Sequence, residues 1–148
     1  MPRSMLHDSL RLELMDDVPV ARLQSTERVF DRAVERVARL IRETVAKGQP
    51  HLLLDVRDAA FDSPSVVDRL RMVRQWAEAA DGRLRIVVVA RPEFIDPERF
   101  GVVVAANFGL TVQVFEREED AFAWLRAERA AELERSASRP GRRGERNP

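Results

Sequence analysis

Cysteine is absent from the 148 residues and histidine occurs only twice. Without cysteine there can be no disulfide, no thiolate nucleophile and no thiolate-bound metal, and a reducing compartment is acceptable to the chain. Two histidines do not make an ordinary zinc site without carboxylates recruited from elsewhere, so no metal is expected. Long apolar runs are missing too. Leu52-Leu53-Leu54 and Ile86-Val87-Val88-Val89-Ala90 are strand-sized, far short of the roughly 20 residues that cross a bilayer. Residues 1–8 turn polar before a signal-type apolar core can form, so a cytoplasmic location without stable membrane insertion is expected. Charge of one sign is also lacking: 25 basic and 25 acidic side chains cancel, and the overall field gives no reason to expect nucleic acid as a partner. Gly48, Gly82, Gly101 and Gly109 stand alone and build neither a phosphate-cradling loop nor a dinucleotide fingerprint, so no cofactor is expected.

An apolar share of 45% in a chain of this length is enough for one core, and periodicity assigns its elements. Leu12 and Leu14 alternate with Arg11 and Glu13 as in a half-buried strand over 10–15. Asp16-Asp17 breaks that pattern before residues 18–23, with Pro19, return as the second strand of a hairpin. Ser25, Thr26 and Glu27 offer cap chemistry ahead of Phe30, Val34, Val37, Ile41 and Val45. These recur every three or four residues on one helical face, which Lys47-Gly48 closes. The unbroken run at 52–54 suits a central strand covered on both faces. Asp62 or Ser63 can cap, and Pro64 can open, a helix with Val66 or Val67, Leu70, Val73 and Ala77 inward, Trp76 on a flank and Asp81-Gly82 as its stop.

Residues 84–90 read as another buried strand, and strand, helix, strand in that order implies a right-handed crossover onto a parallel neighbour. Asp96-Pro97 repeats the cap-and-proline device before a short helix faced by Phe100, Val103, Val104 and Asn107 or Phe108, which Gly109 ends. Residues 110–115 alternate as a shorter strand. Glu118, Glu119 and Asp120 then sit at the positive end of a last helix that docks through Ala121, Phe122, Trp124 and Leu125. The order β-β-α-β-α-β-α-β-α describes an α/β fold in which an N-terminal β-hairpin feeds a mostly parallel sheet with covering helices. One domain over 10–133 is expected, with residues 1–9 frayed and 134–148 a disordered arginine-rich tail.

In open α/β sheets function gathers at the carboxyl ends of the strands, here 55–65, 90–97 and 115–120. Asp55 and Arg57 point to one side of the chain, as a local ion pair or a turn-capping carboxylate would. With Asp58 and Asp62, Asp55 could instead do acid/base work or hold a hard cation, if the three lie close together. Ser63 and Ser65 are candidate phosphoacceptors at a helix start. Neither has a base at hand, because His7 lies in the frayed start and His51 opens a strand at the opposite end, so no catalytic residue is assigned. Phe94 and Ile95 can form a contact patch or pack back over the sheet edge. A cleft lined by Phe100, Val104, Phe108 and Trp124 would suit a small apolar ligand. Edge strands make a homodimer a natural expectation.

The stretch Leu52-Leu53-Leu54-Asp55-Val56-Arg57-Asp58-Ala59-Ala60-Phe61-Asp62-Ser63-Pro64-Ser65 resembles the STAS superfamily, the anti-sigma-factor antagonists, and particularly its SpoIIAA-like branch of small bacterial proteins. There an apolar strand ending in aspartate leads through a loop to an Asp-Ser-Ser-Gly helix start. Asp62 matches the aspartate, Ser63 the first serine and Ser65 the glycine; Pro64 stands where antagonists carry the phosphorylated serine, and it has no hydroxyl. Phe108-Gly109-Leu110-Thr111-Val112-Gln113-Val114-Phe115 and the acidic, alanine-rich start of the last helix, ending in Trp124-Leu125, are similar to the ending of SpoIIAA-like proteins. The likeness spans about residues 12–125. It implies a non-catalytic regulatory or adaptor domain that binds a protein partner through Asp58, Asp62, Ser63, Ser65 and Arg69, any phosphoswitch having moved to Ser63 or Ser65. A carrier of a small apolar ligand and a carboxylate- or metal-dependent enzyme are the competing readings.

Overall fold

A computed structural model describes residues 8–25, 30–59, 64–95 and 100–137, of which 8, 9, 24, 25, 100 and 101 are described by backbone only. The hairpin forms as expected. β1 (Asp8–Met15) and β2 (Val18–Ser25) pair antiparallel, Met15 opposite Val18 and Leu10 opposite Leu23. Asp16 and Asp17 take φ of 55° and 65°, the doubly left-handed two-residue turn whose twist suits a hairpin.

α1 (Phe30–Ala46) buries the predicted stripe, including Val34, Val37 and Ile41. Its one buried polar side chain, Thr44, donates its hydroxyl to the Leu40 carbonyl and so enters the core satisfied. Gly48, at a φ of 78° that disfavours a side chain, turns the chain into β3 (His51–Asp55).

The sheet order is β1-β2-β3-β4-β5, with β4 at Arg85–Val89 and β5 at Thr111–Phe115. Only β1 and β2 run antiparallel; the other neighbours are parallel. Leu52 stands opposite Ile86 and Leu53 opposite Val87, so the two apolar runs lie side by side in the interior. Alternate residues serve opposite faces. Leu52, Leu54, Ile86 and Val88 join the large core made with α1, α2 (Val66–Ala80) and α3 (Phe100–Asn107). Leu53, Val87 and Val89, with Val18 and Val20, pack on Ala121, Phe122 and Leu125 of α4 (Glu118–Ala137). Burial from both sides is why these strands read as continuous apolar runs.

α2 departs from the expectation at its start and on its inner face. Its N-cap is Ser65, whose Oγ accepts from the Asp68 N–H at 3.1 Å while Asp68 accepts from the Ser65 N–H at 3.4 Å, a reciprocal capping box. Asp62 and Ser63, the expected caps, lie outside the described residues. The helix buries Val73, Trp76, Ala79 and Ala80, while Val66, Val67 and Leu70 are exposed. The inward row therefore passes through Arg69, Val73, Trp76 and Ala80, one residue of rotation from the predicted one. Trp76 decides the rotation: its ring is buried and its indole N–H donates to the Val34 carbonyl of α1 at 3.1 Å. The predicted stop holds, with Asp81 and Gly82 both left-handed.

Among the described side chains of α3 the buried one is Ala105 and Val104 is half-buried, whereas Val103, and Phe108 just beyond the helix, face solvent; the Phe100 side chain is outside the described residues. α4 continues to Ala137, four residues beyond the expected end of the domain at 133, and residues 138–148 lie outside the described residues. Among the described residues no helix is long and apolar enough to cross a membrane.

Candidate functional site

Three strand ends meet at the carboxyl rim of the sheet, tied by a network of ion pairs. Asp55 closes β3 beside Arg22 of β2. Its Oδ1 accepts from the Arg57 backbone N–H at 3.1 Å and from Arg57 Nε at 2.9 Å, and its Oδ2 accepts from Arg57 Nη2 and Arg22 Nη1, each at 2.9 Å. Both expected roles, turn-capping carboxylate and local ion pair, are thus performed by one side chain. Arg22 also donates to Glu118 at 2.7 and 3.1 Å and to Glu13 at 2.8 Å, and Arg57 reaches Glu118 at 3.2 Å. Glu118 opens α4, so the network pins that helix to the sheet.

Electrostatics fix these charges. Burial by itself would raise the Asp55 pKa, but the hydrogen bonds from Arg57 and Arg22 outweigh it and hold the carboxyl below its ordinary range. Hydrogen bonds from Arg22 likewise hold Glu118 low, and the carboxylates it contacts push Arg22 above its ordinary value. A carboxylate whose oxygens are occupied by guanidinium donors is a poor proton acceptor, so this arrangement suits anchoring and not acid/base chemistry.

The remaining rim residues divide. Asp58 is exposed in the turn after Arg57 and does not join the Asp55 network, while Asp62 lies outside the described residues; the carboxylate trio is not assembled by the residues that are described. Ser65 is exposed but engaged as a cap. Arg69 points inward, donating from Nε to the Pro64 carbonyl at 3.3 Å and from Nη1 to the Phe94 carbonyl at 3.2 Å, and so staples α2 to the short 3-10 turn Pro92–Phe94. Phe94 is buried, packing back over the sheet, with the Arg91 guanidinium 4.3 Å from its ring centre. Arg91 Nη1 donates to the carbonyls of Arg57 and Ala59 at 3.0 and 3.1 Å, which joins the second rim loop to the first.

The structure is similar to the crystal structure of an anti-sigma factor antagonist from Mycobacterium paratuberculosis, with a TM-score of 0.52 at 19% identity over 80% of this chain and 93% of that one. The fold is of the STAS type. No family model matches the chain, and no curated protein matches it.

Within this STAS-type fold the expected ligand cleft is not assembled among the described residues. Val104 packs on the side of the sheet that carries α1 and α2, Trp124 packs with Phe122 on the α4 side, and the sheet separates them. Phe108 is exposed, with the Arg74 guanidinium 6.0 Å from its ring centre. An apolar cavity of about 110 Å³ does exist, lined by Met72, Val73, Trp76, Val88, Val112 and Val114 and bordered by Arg69 and Pro64. Sequence periodicity missed it because it depends on which tryptophan faces which side of the sheet. It also missed Arg22 and Glu118, which are 96 residues apart and meet only because β2 lies beside β3 and α4 crosses their ends.

Proposed function

We propose that this STAS-type domain is a non-catalytic regulatory or adaptor module that binds a protein partner across the first turns of α2 and the loop before it. The observation that carries this reading is the exposure of Val66 (62%), Val67 (61%) and Leu70 (38%) beside the rim. Contiguous apolar side chains left in water on the first turns of a helix are what a docking surface offers. Arg74, one turn beyond Leu70, lies near exposed Phe108 and carries the surface toward α3, where Val103 is also exposed. Ser65, exposed at the helix start, borders it, and Asp58, Asp62 and Ser63, which precede it in the chain, are proposed with it as the polar contacts of the partner. The fold neighbour's role as an anti-sigma factor antagonist supports a partner of the anti-sigma-factor kind. The occupied oxygens of Asp55 support a role without catalysis.

Phosphorylation of Ser65 would act on the same surface. The added charge would meet the helix N-terminus favourably but would face the Asp68 carboxylate that completes the capping box, and so would change both the cap and what the partner meets. The competing carrier role is disfavoured by size, since a cavity of about 110 Å³ is well below the roughly 300 Å³ at which ligand pockets begin.

Affinity capture from the native cytoplasm tests the proposal. The expected result is a protein retained by the wild-type domain and by an Arg126→Ala control on α4, but lost with Val67→Asp/Leu70→Asp. Equal retention by all three would overturn it.

A further inference from the structure

We propose that His51, Glu128 and Glu132 form a binding site for a divalent cation of the zinc class, at the end of the sheet opposite the rim. His51 begins β3, and Leu53, two residues on, packs against α4, so the imidazole faces the same helix. Glu128 and Glu132 lie one turn apart on α4. A ring nitrogen of His51 and one carboxylate oxygen from each glutamate lie within 4.8 Å of one another. The residue is 3% exposed, and its Nε2 is buried with no hydrogen-bond partner among the described residues. A buried nitrogen left without a partner is costly, and a coordinated ion would remove that cost. A hollow lined by Gln49, Pro50, His51 and Arg129 gives access.

One imidazole nitrogen and two carboxylate oxygens suit Zn²⁺, Co²⁺ or Mn²⁺, and three protein ligands leave a fourth position for water. Arg85 is the competitor. It stands opposite His51 on β4, donates to Glu128 and lies 3.6 Å from Glu132, so an arriving dication displaces a guanidinium from both carboxylates.

That competition gives the test a direction that a merely structural cluster would not show. The untagged full chain, stripped with a chelator, is titrated with Co²⁺ and followed by the visible spectrum of the bound ion, with Zn²⁺ displacing it. The expected result is one saturable site, weakened by at least about tenfold in Glu132→Gln and His51→Gln, the size of effect that even outer partners of a metal carry, and tightened in Arg85→Met. Glu132 is half-exposed, so its variant keeps the fold if His51→Gln does not. Cobalt binding that is absent, or unchanged in Glu132→Gln and Arg85→Met, would overturn the site.

From a separate observation we infer that β1 pairs with β1 of a second copy of this chain. Among the described residues β1 is an edge of the sheet, and it carries Leu12 and Leu14 at 53% and 67% exposure. In a two-residue hairpin Met15 and Val18 exchange hydrogen bonds, so the outward N–H and C=O groups of β1 belong to residues 8, 10, 12 and 14. A two-fold axis at Leu12 then makes Leu12 its own hydrogen-bonded partner and stacks Leu10, Leu12 and Leu14 on their counterparts. The same register sets Arg11 opposite Glu13 of the second copy, a carboxylate that also accepts from Arg22 of its own chain. Moving the axis by one residue would oppose Arg11 to Arg11 or Glu13 to Glu13, so charge selects this register. Sedimentation equilibrium of the full chain should show a dimer that Leu12→Lys dissociates, Arg11→Glu weakens and Arg11→Glu/Glu13→Arg restores. A monomer at every concentration, or a dimer indifferent to Leu12→Lys, would overturn it.

Discussion

Replacing Asp55 by asparagine tests what holds the rim together. The side chain is 8% exposed and accepts three hydrogen bonds from Arg57 and one from Arg22. Asparagine keeps the shape but turns an NH₂ toward guanidinium donors and removes the charge that compensates them. Breaking a buried ion pair by removing one member costs roughly 3–5 kcal/mol. Arg22 and Arg57 are partly exposed and keep Glu118 as a second acceptor, so the loss falls at the low end, about 3 kcal/mol. At about 2–4 °C per kcal/mol for a chain of this size, Tm drops by roughly 6–12 °C. Urea unfolding at neutral pH, with an unchanged slope, measures the free energy.

The pH dependence supplies the sign. Because the folded-state pKa of Asp55 is depressed, its contribution is complete above the unfolded-state value and is lost as pH falls through the folded-state one. The gap between wild type and Asp55→Asn should be wide at neutral pH and close in acid. A loss within the roughly 1 kcal/mol of an exposed ion pair, or a gap that does not change with pH, would refute the reasoning.

Three further outcomes are expected. Ser65→Ala should cost about 1 kcal/mol in urea unfolding through the lost cap, and Ser65→Gly only a few tenths. Converting Asp16-Asp17 to Asn-Gly should stabilise by about 1 kcal/mol, since both positions carry positive φ; no gain would mean that the turn is not left-handed in solution. Trp76→Phe should cost about 1–2 kcal/mol through the lost donor to Val34, and Trp124→Phe, on a half-buried side chain, should cost less; the reverse order would restore Trp76 to the flank.

The elements were legible because local chemistry specifies them. Phe30, Val34, Val37 and Ile41 can share a face only in a helix, and the runs at 52–54 and 86–90 lack the alternation that a half-wet strand needs. Their parallel pairing followed from the helix between them. The start of α2 was less legible: Asp62, Ser63 and Ser65 all have cap chemistry, and only Ser65 has an acid three residues on to complete the box. Its inner face could not be read to within one residue, because Val66, Val67, Leu70, Val73, Trp76 and Ala77 fit two overlapping stripes. Packing against α1 selected the stripe that takes Trp76 to the Val34 carbonyl.

By itself, then, the sequence determined which segments are helices and strands, their order and the two-sided burial of β3 and β4, since these depend on periodicity and turn chemistry within a few residues. Only the tertiary structure decided which side chains meet. Arg22 with Glu118, His51 with Glu128 and Glu132, and the separation of Val104 from Trp124 are set by which strand lies beside which and which face each helix covers. Such contacts join residues far apart along the chain, where no local pattern carries their signal.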